Sequence, residues 1–320
     1  MTGFVTAGAK ALAMLCLTIA LALPAQAQTV LVLNSNDDSL SVLSLTERRE
    51  IERRRIGRGP HHLTRHPGTG EVIVGNTTGN ELVFLDGATG KELRRMANIP
   101  DPYQIGFSPD GKWMVLTCNR LHWVDIYDAA TLQRVARVPA RSIPSHIAFD
   151  RASTQTFITL QDTNLVMAVD LASHTVLWQT RVGAAPAGIV MTPDDRHLLV
   201  GNMGGETVSV IDWRTGRVTQ EIRTGKGAHN LFLTPEGDEV LVTNRVAGTI
   251  TRLDWRTLQV IGDIRASGWP DDVEFSPDRT QLWVTSRVAK RVQVIDRHSQ
   301  AVVGEISVGR SPHGIYIHQP

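Results

Sequence analysis

The sequence has 320 residues, of which 42% are hydrophobic and 20% charged, with 33 Lys and Arg against 32 Asp and Glu. This near-neutral balance, without a run of basic residues, excludes the electrostatic surface expected of a dedicated nucleic-acid-binding protein. The length is large for a single hydrophobic core but ordinary for an array of repeats.

Residues 1–27 have the pattern of a secretory signal peptide. Lys10 precedes an apolar run over residues 11–23, and Ala25-Gln26-Ala27 then supplies a small-residue cleavage pattern. We expect cleavage before Gln28, export to the periplasm or the medium, and no membrane span after cleavage. A retained N-terminal anchor is the alternative, but the apolar run is too short to cross a bilayer comfortably.

The expected mature chain, residues 28–320, is neutral and keeps one cysteine. Loss of Lys10 leaves 32 basic against 32 acidic residues, and loss of Cys16 leaves Cys118 alone. No intramolecular disulfide can form, so in an oxidising compartment the fold must depend on its packed core.

From Thr29 onward the sequence repeats with a period of 42 residues. The units at 183–224, 225–266 and 267–308 follow the same plan without gaps, and earlier units begin at Gly57, Pro100 and Arg141. Each unit contains four short runs rich in Val, Ile, Leu, Trp and Phe, separated by Pro, Asp, Asn, Gly and Thr. This pattern is typical of strands joined by tight turns.

The third turn of each unit carries an Asp followed three residues later by Thr or Ser. The acidic members are Asp86, Asp128, Asp170, Asp212, Asp254 and Asp296. A column of carboxylates could indicate catalysis, but its fixed place at a turn favours capping of the local backbone by the side chain.

The two ends of the repeat region complement each other. Residues 29–56 match the last three strands of a unit, whereas residues 309–318 match only the first strand. A closed ring benefits when one unit is split in this way, because pairing the termini removes the exposed sheet edges. The sequence therefore predicts an all-β fold, a seven-bladed β-propeller of four-stranded antiparallel blades closed in a three-plus-one arrangement. A parallel β-helix is the alternative, but four strands per period disfavour it.

The repeat resembles the YVTN family of β-propeller repeats. The similarity is carried by Leu-Val-Thr-Asn at 241–244, by Val-Ser-Val-Ile-Asp at 208–212 and by Val-Gln-Val-Ile-Asp at 292–296. The resemblance covers residues 29–320 and implies a secreted or periplasmic protein of the surface-layer-like and cytochrome d1-domain-like propeller group. Some members accompany redox enzymes and other seven-bladed relatives are lactonases, but no stretch here matches a lactonase site.

Two columns of the repeat lie where the inner strands begin, which is the face of a propeller that usually carries function. From blade 1 to blade 7, the first column holds His313, His61, Tyr103, Ser145, Ala187, His229 and Asp271. The second column holds Gly314, His62, Gln104, His146, Gly188, Asn230 and Asp272. Five of the 11 histidines fall in these columns. We therefore predict a ligand-binding funnel formed by His61, His62, Tyr103, His146, His229, Asp271 and His313.

Four of these residues come from consecutive blades, namely His229, Asp271, His313 and His61. Three imidazoles and a carboxylate could hold a zinc, copper or iron ion, or supply an axial ligand to a haem-type cofactor. Two other interpretations remain open: a polar surface for a small molecule or a partner protein, and histidines that bond neighbouring backbone.

The loops after the second strands should lie on the same face. They begin with an amide in six of seven blades, at Asn34, Asn76, Asn119, Gln161, Asn202 and Asn244, with Ser286 in the seventh. We expect this ring to be structural. Beside it, Arg120, Arg245, Arg287, Lys290 and Arg291 give one sector a positive rim that could attract an anion, and Trp269 is a candidate wall of the funnel.

The sequence favours a non-catalytic binding scaffold, because no nucleophile, base and orienting group occur at a recognisable spacing. We expect the protein to be a monomer. Its ligand would be a small molecule or a periplasmic protein, and it could accompany a redox system. The alternatives are a protein that handles a metal or haem-type cofactor, and a hydrolase of the lactonase type.

Overall fold

The computed structural model describes residues 1–3 and 29–318. The predicted signal peptide and its cleavage site lie outside the described residues, apart from residues 1–3. Within the described part, 28 strands form seven four-stranded antiparallel sheets, each one blade of a propeller. No helix in this part of the chain is long and apolar enough to cross a membrane.

The strand bounds follow the repeat. The first fourteen strands are β1 (Thr29–Asn34), β2 (Ser39–Ser44), β3 (Arg49–Arg55), β4 (Pro60–Arg65), β5 (Val72–Asn76), β6 (Glu81–Leu85), β7 (Glu92–Ala97), β8 (Pro102–Phe107), β9 (Trp113–Cys118), β10 (Trp123–Asp128), β11 (Arg134–Pro139), β12 (Pro144–Phe149), β13 (Gln155–Leu160) and β14 (Leu165–Asp170). The others are β15 (Val176–Arg181), β16 (Pro186–Met191), β17 (His197–Asn202), β18 (Thr207–Asp212), β19 (Arg217–Arg223), β20 (Ala228–Leu233), β21 (Glu239–Asn244), β22 (Thr249–Asp254), β23 (Gln259–Arg265), β24 (Pro270–Phe275), β25 (Gln281–Ser286), β26 (Arg291–Asp296), β27 (Val302–Ser307) and β28 (Pro312–Ile317).

The ring closes through the two ends of the chain, as predicted. Blade 1 has the strand order β28-β1-β2-β3, and β1 pairs with β28 so that Val30 faces Ile317 and Val32 faces Ile315. The core consists of apolar layers between neighbouring blades rather than one central cluster. In the layer that seals the ring, Trp283 of blade 7 packs with Val30 and Ile315 of blade 1. Burial of these side chains therefore stabilises closure as well as each blade.

The column of turn aspartates is structural. Asp128 Oδ1 accepts hydrogen bonds from the backbone N–H and the hydroxyl of Thr131, both at 2.8 Å. Asp86, Asp170 and Asp296 cap their turns in the same way. Asp212 departs from the pattern, because its carboxylate caps the N–H of Arg214 instead.

The amide ring is also structural, but its partners differ from the local backbone. Asn202 donates from Nδ2 to the hydroxyls of Thr207 and Ser209, both at 2.9 Å. Asn34 and Asn244 bond the equivalent hydroxyls of their own blades. In these three blades the contacts connect the start of the loop to the third strand.

A register break at the start of the inner strand exposes two successive side chains to the channel. In blade 2, β4 pairs with β5 at Pro60 and again at Leu63, and the two residues between them have no cross-strand partner. The same break occurs in blades 3 to 7. In a regular strand successive side chains point to opposite faces, whereas a bulge removes that alternation. His61 and His62 can therefore both reach the channel.

A threonine on the second strand of several blades forms hydrogen bonds both to the bulge of its own blade and to the next blade. Thr159 Oγ1 accepts from the N–H of His146 at 3.0 Å and donates to the carbonyl of Ala187 in blade 5 at 2.7 Å. Thr117 and Thr243 make the equivalent pairs of contacts. Each such hydroxyl fixes one channel residue and joins two adjacent blades.

Candidate functional site

The structure brings all seven predicted funnel residues together at one end of the channel. The ring of His61 lies 3.9 Å from that of His313, 4.2 Å from that of Tyr103 and 4.7 Å from that of His62, measured between centroids. His146 continues the group, with its ring centroid 5.1 Å from that of His62. The inner strands of separate blades thus deliver one contiguous set of side chains, because the bulges turn both columns toward the axis.

Three imidazoles form the tightest group. The ligand atoms of His61, His62 and His313 lie within 4.8 Å of one another. Nδ1 of His61, Nε2 of His62 and both ring nitrogens of His313 are buried without a hydrogen-bond partner. Buried polar atoms are normally satisfied, so these nitrogens indicate that a ligand, an ion or water completes the site.

A histidine and an arginine lie next to each carboxylate oxygen of Asp271. Its Oδ1 accepts from Nε and Nη2 of Arg245 at 3.1 and 2.5 Å, and Nδ1 of His229 lies 3.0 Å from the same oxygen. Its Oδ2 lies 3.5 Å from Nε2 of His313 and 3.5 Å from Nε of Arg287. The ligand set predicted from the sequence, His61, His229, Asp271 and His313, stays a prediction, since the structure groups His62 rather than Asp271 with His61 and His313.

Asp272 lies close to two of the three imidazoles, His62 and His313. Its Oδ2 is 3.8 Å from Nδ1 of His62 and 3.8 Å from Nδ1 of His313, while Asn230 donates to its Oδ1 at 2.8 Å. A cavity of about 230 Å³, which we call the inner cavity, is lined by residues that include Asp272 and Glu274. Neither acid was among the predicted site residues, although Asp272 stands in the second histidine-rich column.

Burial determines the protonation state of the five histidines at the mouth. Burial, with the nearby Arg287 cation, lowers the pKa of His61 to about 3, and burial with Arg245 lowers that of His229 to about 4. The pKa values of His62, His146 and His313 also fall well below their usual range, mainly because of burial. The five imidazoles are therefore neutral at neutral pH and keep lone pairs available.

The pKa values of the adjacent carboxyls of Asp271 and Asp272 are shifted in opposite directions. Burial alone would raise the pKa of Asp271, but Arg245, His313 and His229 together outweigh it and hold that pKa well below the usual range. Burial, with the negative charge of Asp271 beside it, raises the pKa of Asp272 to about 7. One carboxylate thus stays charged at the mouth while its neighbour is partly protonated.

The positive rim is narrower than the sequence suggested. Arg120 pairs with Asp101 at 2.8 Å, and Arg291 pairs with Glu305 of its own blade. Arg245 is committed to Asp271. Arg287 and Lys290 remain at the mouth, beside the exposed indole of Trp269.

One pair resembles the start of a catalytic relay. Ser145 Oγ lies 3.0 Å from Nδ1 of His146, and Gln161 donates to the same hydroxyl at 2.9 Å. Nε2 of His146, where an orienting carboxylate would bind, has no hydrogen-bond partner. The pair therefore lacks the third member that activates a serine nucleophile. The site can instead bind a ligand through the lone pairs of its neutral imidazoles.

Comparisons with known proteins give the same fold. A family model described as YNCE-like beta-propeller matches residues 2–320. No curated protein matches the sequence significantly.

Solved structures extend this agreement at low identity. A functionally unknown protein from Desulfotomaculum acetoxidans DSM 771 has a TM-score of 0.79 at 15% identity, covering 91% of this chain and 99% of that one. Dihydro-heme d1 dehydrogenase NirN has a TM-score of 0.63 at 17% identity, covering 91% and 75%. A protein of Bacteroides fragilis NCTC 9343, provisionally designated a 6-phosphogluconolactonase, has a TM-score of 0.73 at 12% identity, covering 92% and 99%. These similarities concern the fold alone.

Proposed function

The chain belongs to the YNCE-like beta-propeller family, and we propose that it is a non-catalytic binding protein of the periplasm or extracellular space that holds a transition-metal ion at the mouth of its channel. The observation that carries this proposal is the group of three imidazoles, His61, His62 and His313, each with a buried nitrogen that has no hydrogen-bond partner. Export rests on the sequence pattern of residues 1–27.

The imidazoles are in the state that a metal requires. A histidine binds a metal through a neutral ring, and burial keeps these rings neutral. Two ligands of one ion, each about 2.1 Å from it, lie at most about 4.2 Å apart. The ligand atoms lie within 4.8 Å of one another, so small ring rotations would close them on an ion. Imidazole ligands suit zinc, copper, nickel and iron.

Asp272 supports the same assignment through its position beside two of the rings. Metal-binding histidines usually direct their second ring nitrogen toward a carboxylate or carbonyl that fixes the tautomer. Nδ1 of His62 and Nδ1 of His313 both face Oδ2 of Asp272 at 3.8 Å. This arrangement leaves Nε2 of His62 for a metal, and that atom lacks a hydrogen-bond partner. Nε2 of His313 also forms no hydrogen bond, although it lies 3.5 Å from Oδ2 of Asp271.

The test uses the complete exported protein, as it stands after removal of the signal peptide, purified from the periplasm without a metal-affinity tag. Elemental analysis should find about one transition-metal ion per chain, and Co²⁺ added to stripped protein should bind to saturation at about one equivalent with visible d–d absorption. Less than about a tenth of an ion per chain, together with no saturable Co²⁺ binding, would overturn the proposal. Sequencing the exported protein from its first residue tests export separately, with Gln28 expected.

A further inference from the structure

A second pocket lies beside the channel mouth, where blade 7 meets blade 1. It has a volume of about 500 Å³. Its lining residues are Asn36, Trp269, Arg287, Val288, Lys290, Arg310 and Ser311. Three of them are cationic and none is acidic, so the pocket has a positive lining.

The positive charge is only partly neutralised. Arg310 pairs with Asp37. Arg287 directs Nε and Nη2 to the Ser311 hydroxyl at 3.0 and 2.9 Å, and its nearest carboxylate oxygen is Oδ2 of Asp271 at 3.5 Å.

The carboxylate near Arg287 also pairs with a second cation. Asp271 Oδ1 accepts two hydrogen bonds from Arg245. Two guanidinium groups thus share one carboxylate. Among the described residues, Lys290 forms no ion pair with an acidic side chain. The mouth therefore has an excess of positive charge on the side of this pocket, and an anion would balance it.

The wall of the pocket is aromatic and held in an unusual conformation. Trp269 is 46% exposed and has a φ of 61°, in the left-handed region that bulky residues rarely adopt. Gly268 before it has a φ of 82°, and a Cβ there would lie 2.4 Å from Cβ of Ala289. The exposed side chain of Val288 also lines the pocket. The backbone therefore holds a large apolar ring at the surface beside two cations.

We propose that this pocket binds a small organic anion in which a carboxylate or phosphate is attached to a flat apolar ring. The anionic group contacts Arg287 and Lys290, since guanidinium and ammonium groups bind such oxygens strongly. The ring packs on Trp269, which provides a large rigid apolar surface. The site is separate from the three imidazoles and does not require a metal.

The probe is phenyl phosphate, titrated calorimetrically into the full-length exported protein at low ionic strength, where charge contacts are least screened. Inorganic phosphate tests the anion alone and benzyl alcohol tests the ring alone. The variants are Lys290→Gln and Trp269→Asn, the latter because Asn tolerates a left-handed backbone. Arg291→Gln is the matched control, since that neighbouring cation pairs with Glu305 outside the pocket.

Phenyl phosphate should bind more tightly than either control compound. Lys290→Gln and Trp269→Asn should each weaken it about tenfold, the loss expected for one good contact, while Arg291→Gln and His62→Ala leave it unchanged. Absence of phenyl phosphate binding at millimolar concentration would overturn the proposal. Equal affinity in the wild type and both pocket variants would overturn it too. The unchanged His62→Ala variant separates this result from that of the metal site.

Discussion

The guanidinium of Arg245 in blade 6 contacts the carboxylate of Asp271 in blade 7, with Nη2 2.5 Å from Oδ1. Asp271 is fully buried, and His229 shares the same oxygen. A buried carboxylate depends mainly on its closest cation, here Arg245, because the cost of removing its charge from water is otherwise poorly compensated.

Replacing Arg245 by Met should therefore destabilise the metal-free protein. Breaking a buried pair from one side costs about 3–5 kcal/mol, and the lower end is expected because Arg287 still lies 3.5 Å from Oδ2. Urea unfolding measures the change. The double variant Arg245→Met with Asp271→Asn removes both charges and should recover most of the loss. A double variant as unstable as the single one would contradict this account.

Single substitutions should identify the metal ligands. His61→Ala, His62→Ala and His313→Ala should each weaken Co²⁺ binding at least about tenfold, since each removes one of three ligands. His298→Ala is the control, because His298 is an exposed histidine outside the mouth.

Two further variants separate the ligand set suggested by the sequence from the set grouped by the structure. His229→Ala should leave Co²⁺ affinity nearly unchanged if the three imidazoles are the ligands, and should weaken it if His229 is one. Asp272→Asn should weaken binding about tenfold, the effect of removing a carboxylate that orients a ligand. Unchanged affinity in His62→Ala would contradict the three-imidazole site.

Sequence reasoning predicted the ring and its closure because both follow from a period and from two incomplete ends. It also found the histidines near the axis, since they stand in fixed columns of the repeat. The two columns reach the channel together only because of the bulge between Pro60 and Leu63 and its equivalents. A column alone does not reveal such a bulge.

The partners of each side chain were not predictable in the same way. The Arg245 side chain reaches Asp271 from the loop of a neighbouring blade, and long side chains have too many rotamers for spacing to fix their direction. Glu274 was missed because it stands outside the two columns at the bulge, in the part of the strand where regular alternation of side chains has resumed. Residues 272 and 274 then share one side of the strand, and both line the inner cavity.

Ring closure predicts the effect of deleting the final strand. A chain ending at Gly309 lacks β28 and leaves β1 with an unpaired edge in place of its contacts with Ile315 and Ile317. Such an edge favours pairing with another chain, so the truncated protein should associate, whereas the full chain is expected to be a monomer. Light scattering and urea unfolding measure both properties. A monomeric truncation with an unchanged unfolding midpoint would show that closure does not stabilise the fold.

In blades 2 and 5 a glycine stands where other blades have the threonine that bonds the next blade. A substitution of Gly75 tests the reason for this. A Cβ on Gly75 would lie 2.5 Å from the carbonyl oxygen of Pro102 in the next blade. Gly75→Ala should therefore lower the free energy of unfolding by about 1–3 kcal/mol, as overpacking usually does. Gly205→Ala is the control, since its Cβ would meet nothing closer than 3.7 Å. Equal stability of the two variants would contradict the close approach of the blades.

The inner cavity predicts a loss of stability at alkaline pH. Burial raises the pKa of Glu274 to about 8, above the ordinary value of 4.5. The folded state therefore retains a proton that the unfolded state releases between these values. The stabilisation from this proton is complete below pH 4.5 and is lost as the pH rises through about 8.

The unfolding free energy of the wild type should thus fall as the pH rises from about 5 to about 9. Glu274→Gln, which is neutral and of similar shape, should show a smaller fall and exceed the wild type in stability at the alkaline end. Part of the fall remains in this variant, because the pKa of Asp272 is also raised, to about 7. Urea midpoints across the pH range measure the effect, with Glu206→Gln as the control at an exposed ion pair. If Glu274→Gln follows the pH profile of the wild type, the proton is not held at Glu274, and the inner cavity does not favour a neutral acid at that position.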